Sequence, residues 1–100
     1  MNQEERRNDH RIRFNGEGFF IQDSTLWELK LVDTNRGGVG ATSNREFRPG
    51  AQGLISARFP DSDDQETLLS EVCWCMRDPR AEDPAFQYRV GFRVLDEQAE

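Results

Sequence analysis

The chain has 100 residues, of which 13 are basic and 19 acidic, so that its formal net charge is −6. This length predicts a single domain with one small core, and the acidic balance argues against non-specific binding to nucleic acid. No apolar run approaches the roughly 18 residues of a membrane span. The polar start of the chain lacks the apolar segment of a signal peptide. We therefore expect a cytoplasmic protein without membrane insertion.

In chain order, residues 1–11 are charged and show no apolar periodicity, which predicts a flexible N-terminal arm. Alternation of apolar and polar residues, bounded by turn formers, then predicts six strands. They cover residues 12–21, 25–32, 39–42, 53–59, 68–76 and 86–95. Gly16 and Gly18 interrupt the first strand and indicate a bulge or a wide turn. In the fourth strand, Ile55 and Ala57 fall on the face opposite to Leu54.

The segments between the strands are rich in turn formers and charge. Residues 33–38 form a glycine-rich turn, and the acidic segment 61–71 is expected to be a solvated loop with one helical turn beginning at Ser62. Six short strands without a long helix indicate an all-β antiparallel sheet, and closure into a small barrel hides its edges. The expected organisation is an arm over residues 1–11, a barrel over residues 12–95 and an acidic tail over residues 96–100.

Large side chains at alternating positions supply candidate core residues. Trp27, Tyr88 and Phe92 are expected in the barrel core. In the fifth strand, strict alternation places Trp74 on one face with Val72 and Met76, and Cys73 and Cys75 together on the other. We expect two reduced thiols there, because alternate strand residues lie at the far edge of disulfide geometry. With one histidine in the chain, no metal site is expected.

The sequence offers little for catalysis. The single histidine lies in the polar leader, and no arrangement of nucleophile, base and orienting group is visible, so we do not expect an enzyme. Two short segments carry recognition chemistry instead. The first, immediately before the first strand, is Arg6-Arg7-Asn8-Asp9-His10-Arg11, and the second, after the second strand, is Asp33-Thr34-Asn35-Arg36-Gly37-Gly38.

The two segments complement each other chemically. Arginines on a flexible arm can bind phosphate, donate to the N7 and O6 atoms of guanine, or stack on its face. The carboxylate of Asp33 can accept hydrogen bonds from guanine N1–H and N2–H₂, and the Asn35 amide can donate or accept beside it. Gly37 and Gly38 allow close approach of a flat base or a positive φ angle. Together they describe a site for a guanine nucleotide.

In this order, the segments resemble the signature of the PilZ domain family, which is R-x-x-x-R before the first strand and [D/N]-x-S-x-x-G further along. Arg7 and Arg11 match the first element. Asp33 and Gly38 match the second, while Asn35 stands where the family prefers serine. The closing segment Tyr88-Arg89-Val90-Gly91-Phe92-Arg93-Val94 is also similar to the last strand of that family.

The resemblance implies a six-stranded β-barrel that binds the bacterial second messenger cyclic di-GMP and needs no cofactor. It implies arm contacts from Arg7 and Arg11 and turn contacts from Asp33, Asn35 and Gly38, and Arg6 and His10 are plausible neighbours of these contacts. An asparagine in place of serine is expected to cost about 0.5–1.5 kcal/mol, or roughly 2- to 13-fold in affinity.

The function expected from the resemblance is a stand-alone receptor that passes the second-messenger signal to a partner protein. Partners implied by the family are sensory histidine kinases, chemotaxis components and flagellar or pilus machinery. The acidic 61–71 segment and the apolar strand around Trp74 are candidate contact surfaces. A ligand-independent adaptor built on the same barrel is the alternative that Asn35 favours. A nucleic-acid-binding barrel is disfavoured by the net charge of −6.

Overall fold

The computed structural model describes residues 12–60 and 63–95, and these form six antiparallel strands. The strands are β1 (Ile12–Gln22), β2 (Thr25–Asn35), β3 (Gly38–Ser43), β4 (Gln52–Arg58), β5 (Gln65–Arg77) and β6 (Tyr88–Val94). They close into a barrel in the order β1-β2-β3-β6-β5-β4, with β1 pairing both β2 and β4. The predicted all-β six-stranded barrel is therefore confirmed.

The barrel interior is filled by the inward side chains of every strand, as the alternation predicted. Phe20 lies at its centre, with ring centroids 5.2 Å from Phe47 and 5.0 Å from Phe92. Phe92 is buried as expected, whereas Trp27 and Tyr88 are only partly buried. The buried apolar core consists of Phe20, Leu29, Leu31, Val39, Ala41, Phe47, Ile55, Ala57, Phe59, Val72, Val90 and Phe92.

Several strand boundaries differ from the prediction, because hydrogen bonding to a neighbouring strand extends polar segments that look like loops. β2 continues through Asp33 to Asn35, so the expected turn 33–38 shrinks to the connection between β2 and β3. β5 begins at Gln65, which pairs with Arg58 of β4, so most of the acidic 61–71 segment is strand rather than loop. The helical turn expected at Ser62 begins outside the described residues, as do the arm 1–11 and the tail 96–100.

The predicted faces of the fifth strand are wrong beyond Val72. The register of β5 against β6 shifts between Val72 and Trp74, so Cys73 is the extra residue of a β-bulge. The bulge reverses the alternation: Val72 is buried, Trp74 is 42% exposed on the outer wall, and Cys75 packs against the core. Both cysteines are free thiols, but they do not share a face.

Candidate ligand-binding site

The predicted residue Asp33 lies at one end of a row that crosses four strands on the outer wall of the barrel. Asp33 pairs with Gly40 of β3, Gly40 pairs with Gly91 of β6, and Gly91 pairs with Trp74 of β5. Neighbouring strands are about 4.8 Å apart, so the carboxylate and the indole start from backbone positions about 14 Å apart. The two glycines between them carry no side chain, which leaves room over their backbone for the neighbouring side chains.

Two β-bulges bring these side chains to the outer wall. The register of β2 against β3 shifts between Leu31 and Asp33, just as that of β5 against β6 shifts between Val72 and Trp74. In each strand an inward, buried aliphatic residue precedes the bulge, and the side chain after it points outward. Without the bulges, strict alternation would turn both Asp33 and Trp74 into the barrel.

Both side chains lean over the glycine beside them. A Cβ atom at Gly40 would lie 2.5 Å from Oδ1 of Asp33. A Cβ atom at Gly91 would collide with Nε1 of the Trp74 indole and would lie 2.5 Å from its Cε2 atom. Glycine is therefore required at these two positions by close approach of a side chain, not by an unusual φ angle.

The connection between β2 and β3 is closed by side chains of the motif itself. Oδ1 of Asn35 accepts a hydrogen bond of 3.0 Å from the Gly37 backbone N–H, and the Thr34 hydroxyl donates to the Gly38 carbonyl at 3.1 Å. Among the described glycines only Gly50 has a positive φ, so the positive φ considered for Gly37 and Gly38 is not found. Gly38 is required for space, since a Cβ atom there would lie 2.8 Å from the Phe92 carbonyl oxygen.

A cavity of about 560 Å³ lies over this row. Of the residues predicted as binding residues, its walls contain Asp33, Asn35 and Gly38. Among the wall residues that sequence reasoning missed, those with exposed aromatic or charged side chains are Trp74, Arg89 and Arg93. The signal that could have found them is the glycine inside the closing strand, because an interior strand glycine marks close approach of another group. A wider cleft of about 960 Å³ near Gly16 and Pro60 contains none of the predicted binding residues.

Positive charge reaches the cavity from β6. The Arg93 guanidinium donates a 2.6 Å hydrogen bond to Oε1 of Glu71, and this contact raises the pKa of Arg93 above its ordinary value. Arg93 pairs with Gly38 on one side and with Glu71 on the other, while Arg89 is exposed four residues earlier on the same face. The wall thus combines a carboxylate at one edge with two guanidinium groups on β6.

The predicted arm contacts, Arg6, Arg7, His10 and Arg11, lie outside the described residues. The described chain begins at Ile12, which pairs with Thr34, and the next pair is Arg13 with Asp33. The arm is therefore joined to the barrel directly beside the acidic end of the row. Five residues separate Arg7 from Ile12 in numbering, a reach of at most about 18 Å.

The fold and the concave outer wall define the chain as a small antiparallel barrel with a candidate ligand site outside the barrel. The PilZ domain family model matches residues 5–100, and the chain belongs to that family. A solved structure described as the PilZ domain of YcgR from Escherichia coli with c-di-GMP is 17% identical, with a TM-score of 0.69. The match covers 91% of this chain and 79% of the YcgR chain and shows a shared fold. A search of curated proteins gave no match.

The described residues contain no cluster of histidine, cysteine, aspartate and glutamate side chains able to hold a metal ion. Across the same residues, no helix is long and apolar enough to cross a membrane.

Proposed function

We propose that this chain is a receptor for cyclic di-GMP that binds the ligand on the outer wall of the barrel, over the row from Asp33 to Trp74. The observation that carries the proposal is that row: an acceptor carboxylate and an exposed indole lie in line across adjacent strands, each over a glycine. A flat guanine can stack on the indole, and the family to which the chain belongs supports this ligand.

Each part of the wall has a distinct role in the proposed complex. The Asp33 carboxylate accepts hydrogen bonds from guanine N1–H and N2–H₂, a pair of donors that adenine does not present. The Trp74 indole offers a stacking surface worth about 1–3 kcal/mol per base. Asn35 shapes the turn through its bond to Gly37, and Gly38 keeps the adjacent backbone approachable.

The phosphates require cations, and the proposal assigns them to two sources. Arg7 and Arg11 on the arm contact phosphate or the guanine edge, with Arg6 and His10 as neighbours, because the arm joins the barrel beside Asp33. Arg93 and Arg89 contribute from the floor side of the cavity. Because Arg93 is held by Glu71, a phosphate that binds Arg93 must share it with that carboxylate.

The proposed role is that of a binding module rather than an enzyme, acting in the cytoplasm. Its output would be contact with a signalling protein such as a sensory histidine kinase, a chemotaxis component or flagellar or pilus machinery. Family membership supports a messenger-dependent role. The alternative is the ligand-independent adaptor, which requires that the wall bind no nucleotide.

Calorimetric titration of the purified protein with cyclic di-GMP and with cyclic di-AMP tests the proposal. The two ligands share the phosphate ring and differ at the base edge, so selective binding of cyclic di-GMP isolates guanine binding by Asp33. Asp33→Asn is expected to weaken binding roughly 10- to 150-fold, since a hydrogen bond to a charged group contributes about 1.5–3 kcal/mol.

The arm is tested by Arg7→Ala, with Arg80→Ala as the matched control. Arg80 is an exposed arginine in the β5–β6 connection, and its removal changes the net charge by the same amount away from the cavity. Loss of binding in Arg7→Ala with retention in Arg80→Ala supports the site. Equal affinity for the two cyclic dinucleotides, or no binding of cyclic di-GMP at millimolar concentration, would contradict the receptor and leave the adaptor.

A further inference from the structure

A second outer surface, away from the candidate ligand site, is apolar where a solvated sheet would be polar. Leu26 of β2 pairs with Ile21 of β1, Ile21 pairs with Leu54 of β4, and Leu54 pairs with Leu69 of β5. These four residues form a continuous transverse row, which we call the outer stripe. Leu26 is 56% exposed, and Leu54 and Leu69 are each 38% exposed.

The outer stripe is not part of the barrel core. At the same level of the barrel, Phe20 and Ile55 point inward and are fully buried, so the sheet is apolar on both faces there. Phe19, two residues before Ile21 on the same outer face, extends the stripe and is also exposed. Sheets that are apolar on both faces are normally covered on both, and contiguous exposed apolar patches mark interaction sites.

We infer that the outer stripe is the docking surface for a segment of a partner protein that presents apolar side chains with basic residues at one end. The charges at the β2 end of the stripe select this occupant. Glu28 follows Leu26 on the same outer face, and Glu17 pairs with Lys30 in the adjoining strand. The Lys30 ammonium is already bound by Asp83 at 2.8 Å.

The electrostatics of that corner are therefore acidic on balance. The carboxylates of Glu17, Glu28 and Asp83 surround the ammonium of Lys30, and all three act to raise the pKa of Lys30. The guanidinium of Arg45, which lies in the groove beside Leu26 and Glu28, is the second cation, so three carboxylates and two cations leave one net negative charge. A partner with lysines or arginines at this end gains complementary charge and a faster encounter rate. An anionic lipid surface would be repelled by the same carboxylates.

Other occupants fit the same surface less well. A second copy would present the same acidic corner and would supply no basic end to complement it. The chain after Leu95 starts beside the stripe, since the Leu95 N–H donates to the Leu69 carbonyl at 2.8 Å. Residues 96–100 are Asp-Glu-Gln-Ala-Glu, however, and supply one small apolar side chain.

The test uses a defined probe with the full chain. The stripe spans three strand spacings, about 14 Å, which an amphipathic helix covers with about ten residues. The probe is an 18-residue peptide of leucine and lysine with leucines at helical spacing, and its counterpart carries glutamate in place of every lysine. Binding is followed by ¹⁵N-resolved NMR titration, which reports both the affinity and the affected amides.

We expect the leucine–lysine peptide to shift the amides of the outer stripe and the glutamate peptide to bind at least tenfold more weakly. Leu26→Ser is expected to weaken binding at least tenfold, whereas Met76→Ser leaves it unchanged. Met76 is the matched control, because it is also 56% exposed on the outer wall but lies outside the stripe. Leu54→Ser provides a second stripe variant should Leu26→Ser disturb the β1–β2 turn.

Three outcomes overturn the inference. Peptide shifts that map away from the stripe, or that persist in both leucine variants, show that the peptide binds elsewhere. A monomer–dimer equilibrium in sedimentation that Leu54→Ser abolishes assigns the surface to a second copy. Binding to phosphatidylcholine vesicles that Leu54→Ser abolishes assigns it to lipid. The inference stands independently of cyclic di-GMP binding, because none of these measurements includes the nucleotide.

Discussion

Gly91→Ala adds one methyl group beneath the proposed stacking surface, the indole of Trp74. The added Cβ atom would lie 2.5 Å from Cε2 of the Trp74 indole, and ordinary van der Waals contact begins near 3.4 Å. The indole must therefore withdraw by about 0.9 Å, the difference between these two distances. It can do so by rotating outward, because it is 42% exposed and belongs to the outer wall rather than to the core.

The expected effect on folding is small and the expected effect on binding is large. A side chain moved off its preferred rotamer costs about 0.5–1.5 kcal/mol of stability. Loss of base stacking costs about 1–3 kcal/mol, which corresponds to a roughly 5- to 150-fold weaker affinity. Calorimetric titration with cyclic di-GMP gives the affinity, and thermal denaturation followed by circular dichroism gives the change in stability.

Gly37→Ala is the control for the same chemical change at the same site. A Cβ atom at Gly37 would meet nothing within 4 Å, and the φ angle of Gly37 is not positive, so alanine fits without displacement. Its affinity should match that of the unmodified protein. If Gly91→Ala binds cyclic di-GMP as tightly as Gly37→Ala does, the indole of Trp74 does not carry a base, and its assignment as the stacking surface is wrong.

Three further predictions concern the barrel itself. The hydrogen bond from Lys30 lowers the pKa of Asp83 and raises that of Lys30. The unmodified protein should therefore melt at a higher temperature than the Asp83→Asn variant, by an amount that is constant near neutral pH. This difference in melting temperature should shrink as the pH falls below the ordinary aspartate range near 4, because Asp83 then becomes protonated. A difference at pH 2 equal to that at neutral pH would contradict the prediction. Iodoacetamide should modify Cys73 before Cys75, because Cys73 is exposed while burial raises the pKa of Cys75. Both thiols lie in the tryptic peptide 59–77, so fragment ions from tandem mass spectrometry measure the order, and faster labelling of Cys75 would refute the inward assignment. Gly50→Ala should lower the melting temperature by about 4–8 °C per kcal/mol lost, because Gly50 has a φ of 94°, and an unchanged melting temperature would show that the turn relaxes without cost.

The fold was largely predictable from the sequence because the core obeys a period of two. In β4, Ile55 and Ala57 are fully buried while Leu54 is exposed, as the alternation indicated. The start of β5 was not predictable, since Gln65 and Glu66 look like the end of an acidic loop. Both residues belong to β5 because their backbones pair with Arg58 and Ala57 of β4. Such backbone pairing cannot be recognised from the polarity of the side chains.

The candidate site was predictable on one side only. Asp33, Asn35 and Gly38 follow from a motif whose spacing is local, and the cavity wall contains all three. Trp74 escaped prediction because one extra residue reversed the alternation of β5. A bulge of this kind changes the face to which the following side chains point, but the amino-acid composition of the strand does not reveal it. The contribution of Trp74 became visible only when the pairing of β5 with β6 was known.

In β2 and in β5, the side chains that point into the barrel change at the bulge from one set of alternate residues to the other. Deleting the extra residue at either bulge, Val32 or Cys73, would leave a regular strand in which the residue before the bulge still points inward and the residue after it still points outward. Asp33 and Trp74 would therefore stay on the outer wall, whereas a deletion within the regular strand β4 would move every side chain beyond it to the opposite face. A deletion in a connecting loop would shorten the chain without moving any strand side chain to the opposite face. Single-residue deletions should therefore be tolerated better at Val32 and Cys73 than within β4, and a library of such deletions would locate the two bulges, and with them the site, without any ligand.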